Sequence, residues 1–539
     1  MFCNTPQVNQ LTALLIAHNI QHMVVCPGSR NATIVHNLHI ANNHFKLHPI
    51  TDERSAAFVA LGIALATQEA VGVCVTSGSA LLNCIPAVAE AYYRHIPLLV
   101  ISADRPQSWI GQLDGQTLPQ VGALLPYCPT FNLCEPRSHE DEWHNNRNIN
   151  EAIISLHQSA SGPAHINVPI SEPMFNFTTS HLPVERKITS YYPSTTCPLP
   201  QTIIDVISKA QLPTLLIGQY ERGDIRNETA LLSEQGQMLV LPEVISDVEG
   251  NFRLNAFDTL EHAATPICPD VIVHIGGNFV HKRFKSLIRN SACKVIRISN
   301  DDHLADTFCH LEANVKASPQ SALSQLCQVL PHHNVQVQQT ANKLDKVWTE
   351  QKRELDDKSY LNHDFHYALT TLHQLLAQQS TSYSIHLANS SAIRAASNVF
   401  ESGKAPIFCN RGTNGIEGSL STAVGYATAM WGLSIVVIGD LSFFYDMNAL
   451  WNTHLPHNLR ILLVNNHHGG IFDKLPGLSA SPARDALIAA GHQTFTAKGI
   501  AECFKLGYLC ANAHHDLVHI MKDWLSPSKC AQILEVDIK

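Results

Sequence analysis

The sequence predicts an α/β fold in which parallel sheets are flanked by helices, repeated in three units of similar size. Two observations lead to this prediction. Short apolar runs that read as buried strands alternate with longer helical segments, and two polar or proline-rich stretches interrupt the alternation. A strand–helix–strand rhythm is typical of a parallel sheet with helices on both faces. A length of 539 residues is enough for three or four domains.

The first unit is predicted from four apolar runs with helical segments between them. These runs are QHMVVCP, HPITDE, AVGVCVTS and IPLLVIS, and the rhythm ends near residues 162–173. Residues 182–200 hold four prolines and several Ser and Thr residues. Such composition is typical of a linker.

The second and third units repeat this alternation. The second contains PTLLIG, QMLVLPE, PDVIVHIGG and CKVIRIS, and it fades in the polar stretch 331–345, which has no strong periodicity. The third begins near residue 358 and contains SYSIHLANSS, PIFCNRG, SIVVIGD, RILLVNN and AQILEVD.

Composition narrows the class of protein. Hydrophobic residues make up 45% of the chain and charged residues 15%, which is typical of large buried cores. The net charge of -9 argues against nucleic-acid and anionic-membrane partners. No apolar run is long enough for a membrane span, and the start MFCNTPQVNQ lacks the features of a secretion signal. The 15 cysteines form no CxxC pair and the 31 histidines are widely spread. We therefore expect a cytoplasmic protein with reduced thiols and no histidine-based metal array.

Asp440 stands at the end of a predicted buried strand. It follows the apolar run 435–438 and Gly439. Ligands of parallel sheets bind beyond the carboxyl ends of strands, and glycine permits close approach to the backbone. Asn466 ends the next apolar run, 26 residues later, which is about one strand–helix–strand step. Two such oxygen side chains suit a hard cation such as Mg²⁺ held together with phosphate, and the helix after Asp440 could face the phosphate with its N-terminus. A plain turn and helix cap explain the same residues equally well.

Glu53 stands where the HPITDE run gives way to a helix rich in Ala, Leu, Ile, Phe and Gly. That helix is apolar nearly all round, so we expect it to be buried. A carboxyl group that is partly desolvated at its start can exchange protons near neutral pH. Asp52, Glu53 and Arg54 are also explained as charges in the first turn of a helix.

These residues, together with TSGSALLNCIPAVAEAYYRHIPLLVISADRP over 76–106, resemble the three-domain thiamine-diphosphate enzymes. This group includes pyruvate decarboxylase and acetohydroxyacid synthase. The resemblance covers the whole chain. It implies a pyrimidine-binding domain over residues 1–181, a central domain over 198–335 and a diphosphate-binding domain over 356–539. It also implies a dimer or tetramer with active sites between chains, in which Glu53 of one subunit faces Asp440 of another.

The resemblance implies how thiamine diphosphate is held. Asp440, Asn466 and the backbone carbonyl of His468 would bind Mg²⁺ or Mn²⁺ on the diphosphate. Glu53 would contact the aminopyrimidine and help to form the C2 ylide, and Ile416 would support the V shape of the cofactor. The other implied cofactor contacts are Asn83, Gly439, Leu441, Ser442, Ile471 and Phe472.

Five longer motifs narrow the resemblance. They are CPGSRNATI (26–34), ADRP (103–106), NSSAIR (389–394), NRGTNGIEGSLSTA (410–423) and GDLSFFYDMNAL (439–450). They are similar to the branch of the group that serves menaquinone biosynthesis. Members of that branch decarboxylate 2-oxoglutarate and add the resulting four-carbon unit to isochorismate. His467 and His468 depart from the group, which usually has Asn and Gly there.

The two substrates of that branch carry several carboxylates, and a guanidinium group binds a carboxylate through two parallel hydrogen bonds. The resemblance therefore implies a basic cleft in an acidic chain. The implied substrate contacts are Ser29, Arg30, Arg105, Gln116, Lys282, Arg283, Ser390, Arg394, Arg411 and Leu475. Among them Gln116, Arg394 and Arg411 are also assigned to catalysis, with Glu53. Each arginine taken singly fits a surface ion pair equally well.

Two other functions remain open at this point. One is a different thiamine-diphosphate decarboxylase or carboligase for 2-oxo acids, which would not need this many arginines in one cleft. The other is a binding protein that keeps the cofactor fold without catalysis. That function would be favoured if Glu53 lay far from any cofactor site or if the protein failed to bind thiamine diphosphate.

Overall fold

Three parallel sheets follow one another along the chain in the computed structural model of this protein. The structure describes residues 1–157, 161–191, 198–250, 267–362, 364–492, 495–512 and 515–538. Within these residues, no helix is both long enough and apolar enough to cross a membrane.

The first unit holds a six-stranded sheet. Its strands are β1 (His22–Val25), β2 (Lys46–Pro49), β3 (Val71–Val75), β4 (Leu98–Asp104), β5 (Thr130–Asn132) and β6 (Ala164–Pro169). Its helices are α1 (Pro6–Ala17), α2 (Ala32–Ile40), α3 (Glu53–Thr67), α4 (Ser79–Asn83), α5 (Ile85–Arg94) and α6 (His139–Ser155). The order across the sheet is β2-β1-β3-β4-β6-β5. Val24 and Val73 belong to one apolar core while Met23 and Cys74 belong to another, so both faces of the sheet are covered.

The second unit holds a five-stranded sheet. Its strands are β7 (Pro213–Ile217), β8 (Leu239–Pro242), β9 (Val271–Ile275), β10 (Lys294–Ser299) and β11 (Leu311–Lys316), in the order β11-β10-β9-β7-β8. Its helices are α7 (Gln201–Ser208), α8 (Arg226–Glu234), α9 (Lys282–Arg289) and α10 (Pro319–Val329). Two separate apolar cores cover the two faces of this sheet.

The third unit repeats the strand order of the first. Its strands are β12 (Tyr383–Leu387), β13 (Ile407–Cys409), β14 (Leu433–Gly439), β15 (Leu459–Asn465), β16 (Gly507–Ala511) and β17 (Gln532–Asp537), in the order β13-β12-β14-β15-β17-β16. Its helices are α12 (Phe365–Leu376), α13 (Ser391–Ala396), α14 (Ser419–Ala429), α15 (Asp440–Tyr445), α16 (Lys498–Phe504) and α17 (Leu517–Leu525). Its central strands share one continuous apolar core with one face of the first sheet.

A 28-residue helix, α11 (Val335–Asn362), occupies the polar stretch where the sequence indicated no element. Val337, Leu344 and Trp348 are buried against one core of the second unit. Their spacing of seven and four residues places them on one narrow face, and polar residues dominate the rest of the helix. A stripe this narrow explains why the apolar pattern was weak.

Three observed strands, β5, β11 and β16, lie outside the predicted apolar runs. Each of them forms the edge of its sheet. Residues of all three are half-buried or exposed along most of their length. Edge strands need no continuous apolar run, because only one neighbouring strand and part of each face cover them.

The first and third units meet where α3 crosses α14. A Cβ atom at Gly62 would lie 2.0 Å from the backbone carbonyl oxygen of Thr422, and one at Gly425 would lie 2.1 Å from that of Val59. The two helix backbones therefore touch at two glycines. Residues 55–65 of α3 are buried, as the apolar composition of this helix predicted.

The predicted linker is tied to the first unit at its start. The Glu185 carboxylate accepts hydrogen bonds from Gln10 and Asn146, and the Ile188 backbone N–H donates to Asn150. Residues 192–197 of this segment lie outside the described residues. The bonds to Glu185 and Ile188 hold the segment against α1 and α6.

Candidate active site

The predicted site residues follow the carboxyl ends of strands in the first and third sheets. In both sheets the strand order reverses beside the first strand of the unit, and crevices at such points bind ligands in open α/β sheets. The residues that follow β1, β2, β3 and β4 are Arg30, Glu53, Asn83 and Arg105. Those that follow β12, β13, β14 and β15 are Arg394, Arg411, Asp440 and Asn466.

Asp440 and Asn466 lie at the same edge of the third sheet. β14 and β15 are parallel neighbours, with Gly439 opposite Val464, so both residues follow within two positions of the last paired residues. Asp440 is buried and begins α15, whereas Asn466 is half-buried. A Cβ atom added to Gly439 would meet no atom within 4 Å, so open space adjoins the backbone there. This space is available to a ligand beside the carboxylate.

The Asp440 carboxylate is paired with a histidine. His492 Nε2 lies 2.8 Å from Asp440 Oδ2, and both side chains are buried. Burial raises the pKa of Asp440, and the hydrogen bond from His492 acts in the opposite direction. A buried carboxylate, an amide and a backbone carbonyl form an oxygen-rich donor set of the kind that a hard divalent cation prefers. The residues present therefore fit Mg²⁺ or Mn²⁺. Within the described part of the chain, no three His, Cys, Asp or Glu side chains form a metal-binding group.

The two histidines after Asn466 are each held by an acidic side chain. His467 has a left-handed φ of 61°, a conformation that Asn and Gly adopt more readily, and its Nε2 lies 3.0 Å from Asp537. His468 Nδ1 lies 2.7 Å from the Asn466 carbonyl oxygen, and its Nε2 lies 2.6 Å from Asp473. Burial lowers the pKa of His468, but the two hydrogen bonds and the charges of Asp473 and Asp440 together outweigh it, so the pKa is raised. Each side chain thus has a protein partner at Nε2, and the backbone carbonyl of His468 remains the predicted metal ligand.

Ile416 and Ser442 connect two of the predicted motifs. Ser442 Oγ donates a 2.6 Å hydrogen bond to the Ile416 carbonyl oxygen, and 40% of Ile416 is exposed. Leu441, Ile471 and Phe472 are half-buried, and Leu475 is exposed. These apolar residues belong to α15 and to the 3₁₀ turn that follows β15.

Glu53 begins α3 and is half-buried. Its Oε2 accepts a 3.3 Å hydrogen bond from Asn83 Nδ2, so two predicted cofactor residues lie in contact. Asp52 caps the helix by accepting from the Ser55 N–H, which leaves the Glu53 carboxylate free of that task. Glu53 itself lies in the first turn of α3, so its position also agrees with the alternative of first-turn charges.

Arg394 and Arg411 form a pair in the third unit. Arg411 is buried, and it donates to Asn389 Oδ1 at 3.0 Å and to Asn278 Oδ1 at 3.3 Å. Arg394 donates to the carbonyl oxygen of Ser390 at 2.7 Å. Burial and the nearby charge of Arg411 lower the pKa of Arg394. Two guanidinium groups whose charges interact in this way can bind an anionic ligand.

Lys285 joins this basic cluster and was not among the predicted residues. It is half-buried with its Nζ 5.9 Å from the centroid of the Phe279 ring. Burial lowers its pKa, Glu243 raises it, and Arg411 and Lys282 lower it further. Lys282 and Arg283 of the same helix, which were predicted, are both exposed. The signal that could have found Lys285 is its position one helical turn after Lys282, on the same face of α9.

Arg30 and Arg105 form a second pair, in the first unit. Arg30 is buried and donates to the Ile170 carbonyl oxygen at 2.9 Å and to Glu172 at 3.1 Å. Arg105 Nη1 lies 3.6 Å from the same Glu172 carboxylate and 3.3 Å from Asp114. Burial and Arg105 lower the pKa of Arg30, and Glu172 opposes this. A single chain thus presents the four predicted arginines as two pairs.

Ser29 and Gln116 are exposed in loops at the same end of the first sheet. Gln116 has a left-handed φ of 52°, and its carbonyl oxygen lies 3.0 Å from the position of a Cβ atom at Gly78. The neighbouring Gln120 is buried and anchors the loop, since its Oε1 accepts from the Gly78 N–H at 2.7 Å. The backbone of Gln116 therefore lies against the loop after β3, while its side chain is exposed.

The amino-acid sequence is similar to those of known proteins. Residues 8–123 match the family described as "Thiamine pyrophosphate enzyme, N-terminal TPP binding domain". The chain is 38% identical to the 2-succinyl-5-enolpyruvyl-6-hydroxy-3-cyclohexene-1-carboxylate synthase of Bacteroides thetaiotaomicron, over 100% of this chain and 96% of that protein. It is 39% identical to the protein of the same name from Bacteroides fragilis, over 99% and 96%. It is 34% identical to that of Flavobacterium johnsoniae, over 96% and 94%.

Proposed function

Since the chain belongs to the family of 2-succinyl-5-enolpyruvyl-6-hydroxy-3-cyclohexene-1-carboxylate synthases, we propose that it catalyses that reaction with thiamine diphosphate. In this reaction 2-oxoglutarate loses CO₂ and its remaining four-carbon unit forms a carbon–carbon bond to isochorismate. The product is 2-succinyl-5-enolpyruvyl-6-hydroxy-3-cyclohexene-1-carboxylate, an intermediate of menaquinone biosynthesis.

One observation carries this proposal. The segment after β13 bears both Arg411 and Ile416, and the carbonyl oxygen of Ile416 accepts a hydrogen bond from Ser442, two residues after Asp440. Arg411 is a buried cation suited to substrate carboxylates, and Asp440 is a buried carboxylate suited to a metal–diphosphate. The hydrogen bond between Ile416 and Ser442 therefore joins the segment that carries the one to the helix that carries the other. A site of this composition supports a cofactor-dependent reaction of an anionic substrate.

Asp440, Asn466 and the backbone carbonyl of His468 would hold the divalent metal, Mg²⁺ or Mn²⁺, against the diphosphate. The open space beside Gly439 supports this placement, because a phosphate group can approach the backbone there. His492 would orient the Asp440 carboxylate through its 2.8 Å contact.

When bound, thiamine diphosphate supplies an electron sink for the decarboxylation of a 2-oxo acid. Glu53 would exchange a proton with the aminopyrimidine through its carboxylate, with Asn83 fixing one carboxylate oxygen. Ile416 would support the bent form of the cofactor, and half-buried Ile471 and Phe472 would exclude water beside it.

Arg394 and Arg411 would bind carboxylates of the substrates, and Lys285 would add a third positive charge. The pair of Arg30 and Arg105 would serve the same purpose from the first unit, with Ser29 and Gln116 beside them. Arginine suits this task because its planar group forms two parallel hydrogen bonds with a carboxylate.

We also propose a homodimer or homotetramer in which Glu53 of one subunit faces Asp440 of another. Exposed apolar side chains adjoin both halves of the site, which supports a covering subunit. They are Leu82, Tyr445, Met447 and Trp451. The described cysteines are free thiols, which supports a reducing cytoplasm.

The test is a substrate assay with the purified protein, thiamine diphosphate and Mg²⁺. Isochorismate loss is followed spectroscopically with 2-oxoglutarate, and in parallel with pyruvate in its place. We expect loss that requires 2-oxoglutarate and falls at least 100-fold in Glu53→Gln. The matched control is Glu69→Gln, an exposed glutamate just after the same helix, which should retain full activity.

Cofactor binding measured by calorimetry separates the possible failures. A protein that binds thiamine diphosphate yet consumes isochorismate only with pyruvate would be a different carboligase. A protein that binds the cofactor but consumes no 2-oxo acid would contradict the proposed reaction.

A further inference from the structure

Glu90 is a buried carboxylate that binds the segment carrying Arg411. It lies on α5 of the first unit and has no exposed surface. Its Oε1 accepts from the Gly412 N–H at 3.0 Å, and its Oε2 accepts from the Thr413 N–H at 2.7 Å and from Thr413 Oγ1 at 2.9 Å. Three donors of one loop therefore converge on a single carboxylate of another unit.

Arg94, one turn later on α5, extends these contacts to the second unit. Its side chain is also buried, with Nη1 3.6 Å from Glu90 and 3.0 Å from Asn410 Oδ1. Its Nη2 donates to both carboxylate oxygens of Glu221, at 2.7 and 2.5 Å. The charge of Arg94 is thus shared between two carboxylates from different units, and their attraction holds its pKa above the ordinary value despite burial.

Gln219 closes the network on the other side. Its Nε2 donates to Glu221 at 2.8 Å and to the Cys409 carbonyl oxygen at 2.8 Å. Cys409 ends β13, so the strand end just before Arg411 is bound from the second unit while Gly412 and Thr413 are bound from the first. The backbone on both sides of Arg411 is fixed by groups outside its own unit.

The loop at Gly412 packs closely against Glu90. A Cβ atom at Gly412 would lie 2.9 Å from Glu90 Oε2 and 3.0 Å from the Glu90 carbonyl oxygen. The guanidinium of Arg411 is in turn bound to Asn389 and Asn278, and Asn389 also donates to the carbonyl oxygens of Asn410 and Gly415. A small shift of this loop would therefore move the guanidinium.

We propose that Glu90 and Arg94 are positioning residues that set the orientation of Arg411 for an anionic substrate. This rests on the proposed function in one respect, namely that Arg411 binds a substrate carboxylate. Binding energy for a carboxylate depends on the exact direction of the guanidinium, since both of its hydrogen bonds must form together. The three-unit network supplies that direction.

Hydrogen exchange followed by mass spectrometry tests the positioning itself. In Glu90→Gln we expect the amides of the peptide spanning residues 410–415 to exchange at least 10-fold faster, because an amide nitrogen replaces one acceptor of the Thr413 N–H. Glu69→Gln, an exposed change in the same unit, should leave exchange unaltered. Equal exchange in Glu90→Gln and the wild type would overturn the proposal, whether or not the protein proves active on the proposed substrates.

Steady-state kinetics test the consequence for the substrate. The substrate bound by Arg411 is identified as the one whose KM rises in Arg411→Lys. We expect Glu90→Gln to raise the same KM about 10-fold with kcat changed less than threefold, which is the pattern of lost uniform binding. In an Arg411→Ala background, Glu90→Gln should raise KM less than twofold further.

If Glu90 had a merely structural role, Glu90→Gln would lower kcat as well as change KM, and by the same factors in the wild-type and Arg411→Ala backgrounds. That result would contradict the positioning role. If Glu90→Gln does not fold, Glu221→Gln provides a second variant, because it weakens the hold on Arg94 without touching the loop. Its expected effect is a smaller rise in the same KM, about threefold. A wild type that shows no reaction of 2-oxoglutarate with isochorismate would reject the proposed function alone, and the exchange result would still decide the positioning.

Discussion

His492 Nε2 lies 2.8 Å from the Oδ2 atom of Asp440, although the two residues are 52 positions apart in the chain. The ring of His492 stacks on Phe495, with centroids 5.0 Å apart, and meets His467 edge to face. These contacts fix the imidazole on one side of the carboxylate. A carboxylate oriented by such a partner is suited to metal binding.

We predict that His492→Gln weakens binding of the divalent metal 10- to 100-fold, because the Asp440 carboxylate loses its orienting partner. Asp440→Asn should weaken it further, since the charge itself is lost. Titration with Mn²⁺ followed by electron paramagnetic resonance measures this without turnover. His519→Gln, whose side chain is 74% exposed, is the control. Unchanged Mn²⁺ affinity in His492→Gln would show that the contact does not serve the metal.

We predict that Arg411→Lys raises the KM for one anionic substrate by roughly 10- to 100-fold, because an ammonium group cannot form two parallel hydrogen bonds with a carboxylate. Lys285→Met should raise KM by a smaller factor, about threefold, because Lys285 adds charge without such geometry. Lys209→Met, which changes an exposed lysine of the second unit, is the control, and Arg283→Met tests the residue of α9 that the sequence indicated. A larger rise in KM for Arg283→Met than for Lys285→Met would show that the residue indicated by the sequence, and not Lys285, contacts the substrate.

We predict that Gly62→Ala destabilises the protein by about 3 kcal/mol or more, because the new methyl group would lie 2.0 Å from a backbone oxygen that cannot move alone. Gly425→Ala, on the facing helix, should act alike. In contrast, a Cβ atom at Gly499, which lies in α16, would meet no atom within 4 Å. Gly499→Ala should be neutral or stabilising by about 0.5 kcal/mol. Chemical denaturation of the three variants measures their free energies of unfolding. Equal values for all three would show that α3 and α14 can move apart to accept a methyl group.

We predict that acid destabilises the fold through histidines buried in the sheets. Burial, with Arg297 and Lys285 nearby, lowers the pKa of His274 to about 4, and burial lowers that of His165 to about 3. The unfolded chain binds a proton at these histidines below its pKa of about 6.5, whereas the folded chain does not. The free energy of unfolding therefore falls as the pH decreases from about 6.5 toward 4, by roughly 2 kcal/mol per histidine at pH 5.

His274→Leu tests this prediction because it removes one titrating group whose Nε2 has no hydrogen-bond partner within the described residues. The difference in unfolding free energy between variant and wild type should grow in favour of the variant as the pH falls from 7 to 5. A difference that stays constant over this range would show that His274 does not contribute to acid destabilisation.

The sequence indicated the central strands and the edge strands β2, β8 and β13, but it missed the edge strands β5, β11 and β16, and the reason is physical. Strands such as β3 and β14 are covered on both faces, so nearly every position is apolar and the run is visible without a structure. The residues of β11 are all half-buried or exposed, because only one strand neighbours it. Its pattern is too weak to separate from a loop.

Candidate site residues at strand ends were also accessible to sequence reasoning. Asp440 and Asn466 follow apolar runs directly, and adjacency of β14 and β15 then brings them to one edge. Lys285 was not accessible in this way, because its half-burial near the Phe279 ring depends on how α9 packs against the rest of the second unit.

The sequence by itself determined the strand–helix alternation, the three units and the polar residues at strand ends, because these follow from apolar patterns over a few residues. Only the tertiary structure decided the contacts around Arg411. Glu90 lies 322 residues from Gly412 and reads locally as an ordinary polar position on a helix. Its burial and its bonds exist only once α5, the second unit and the loop after β13 meet. A carboxylate is stable there because that meeting supplies its donors and the charge of Arg94.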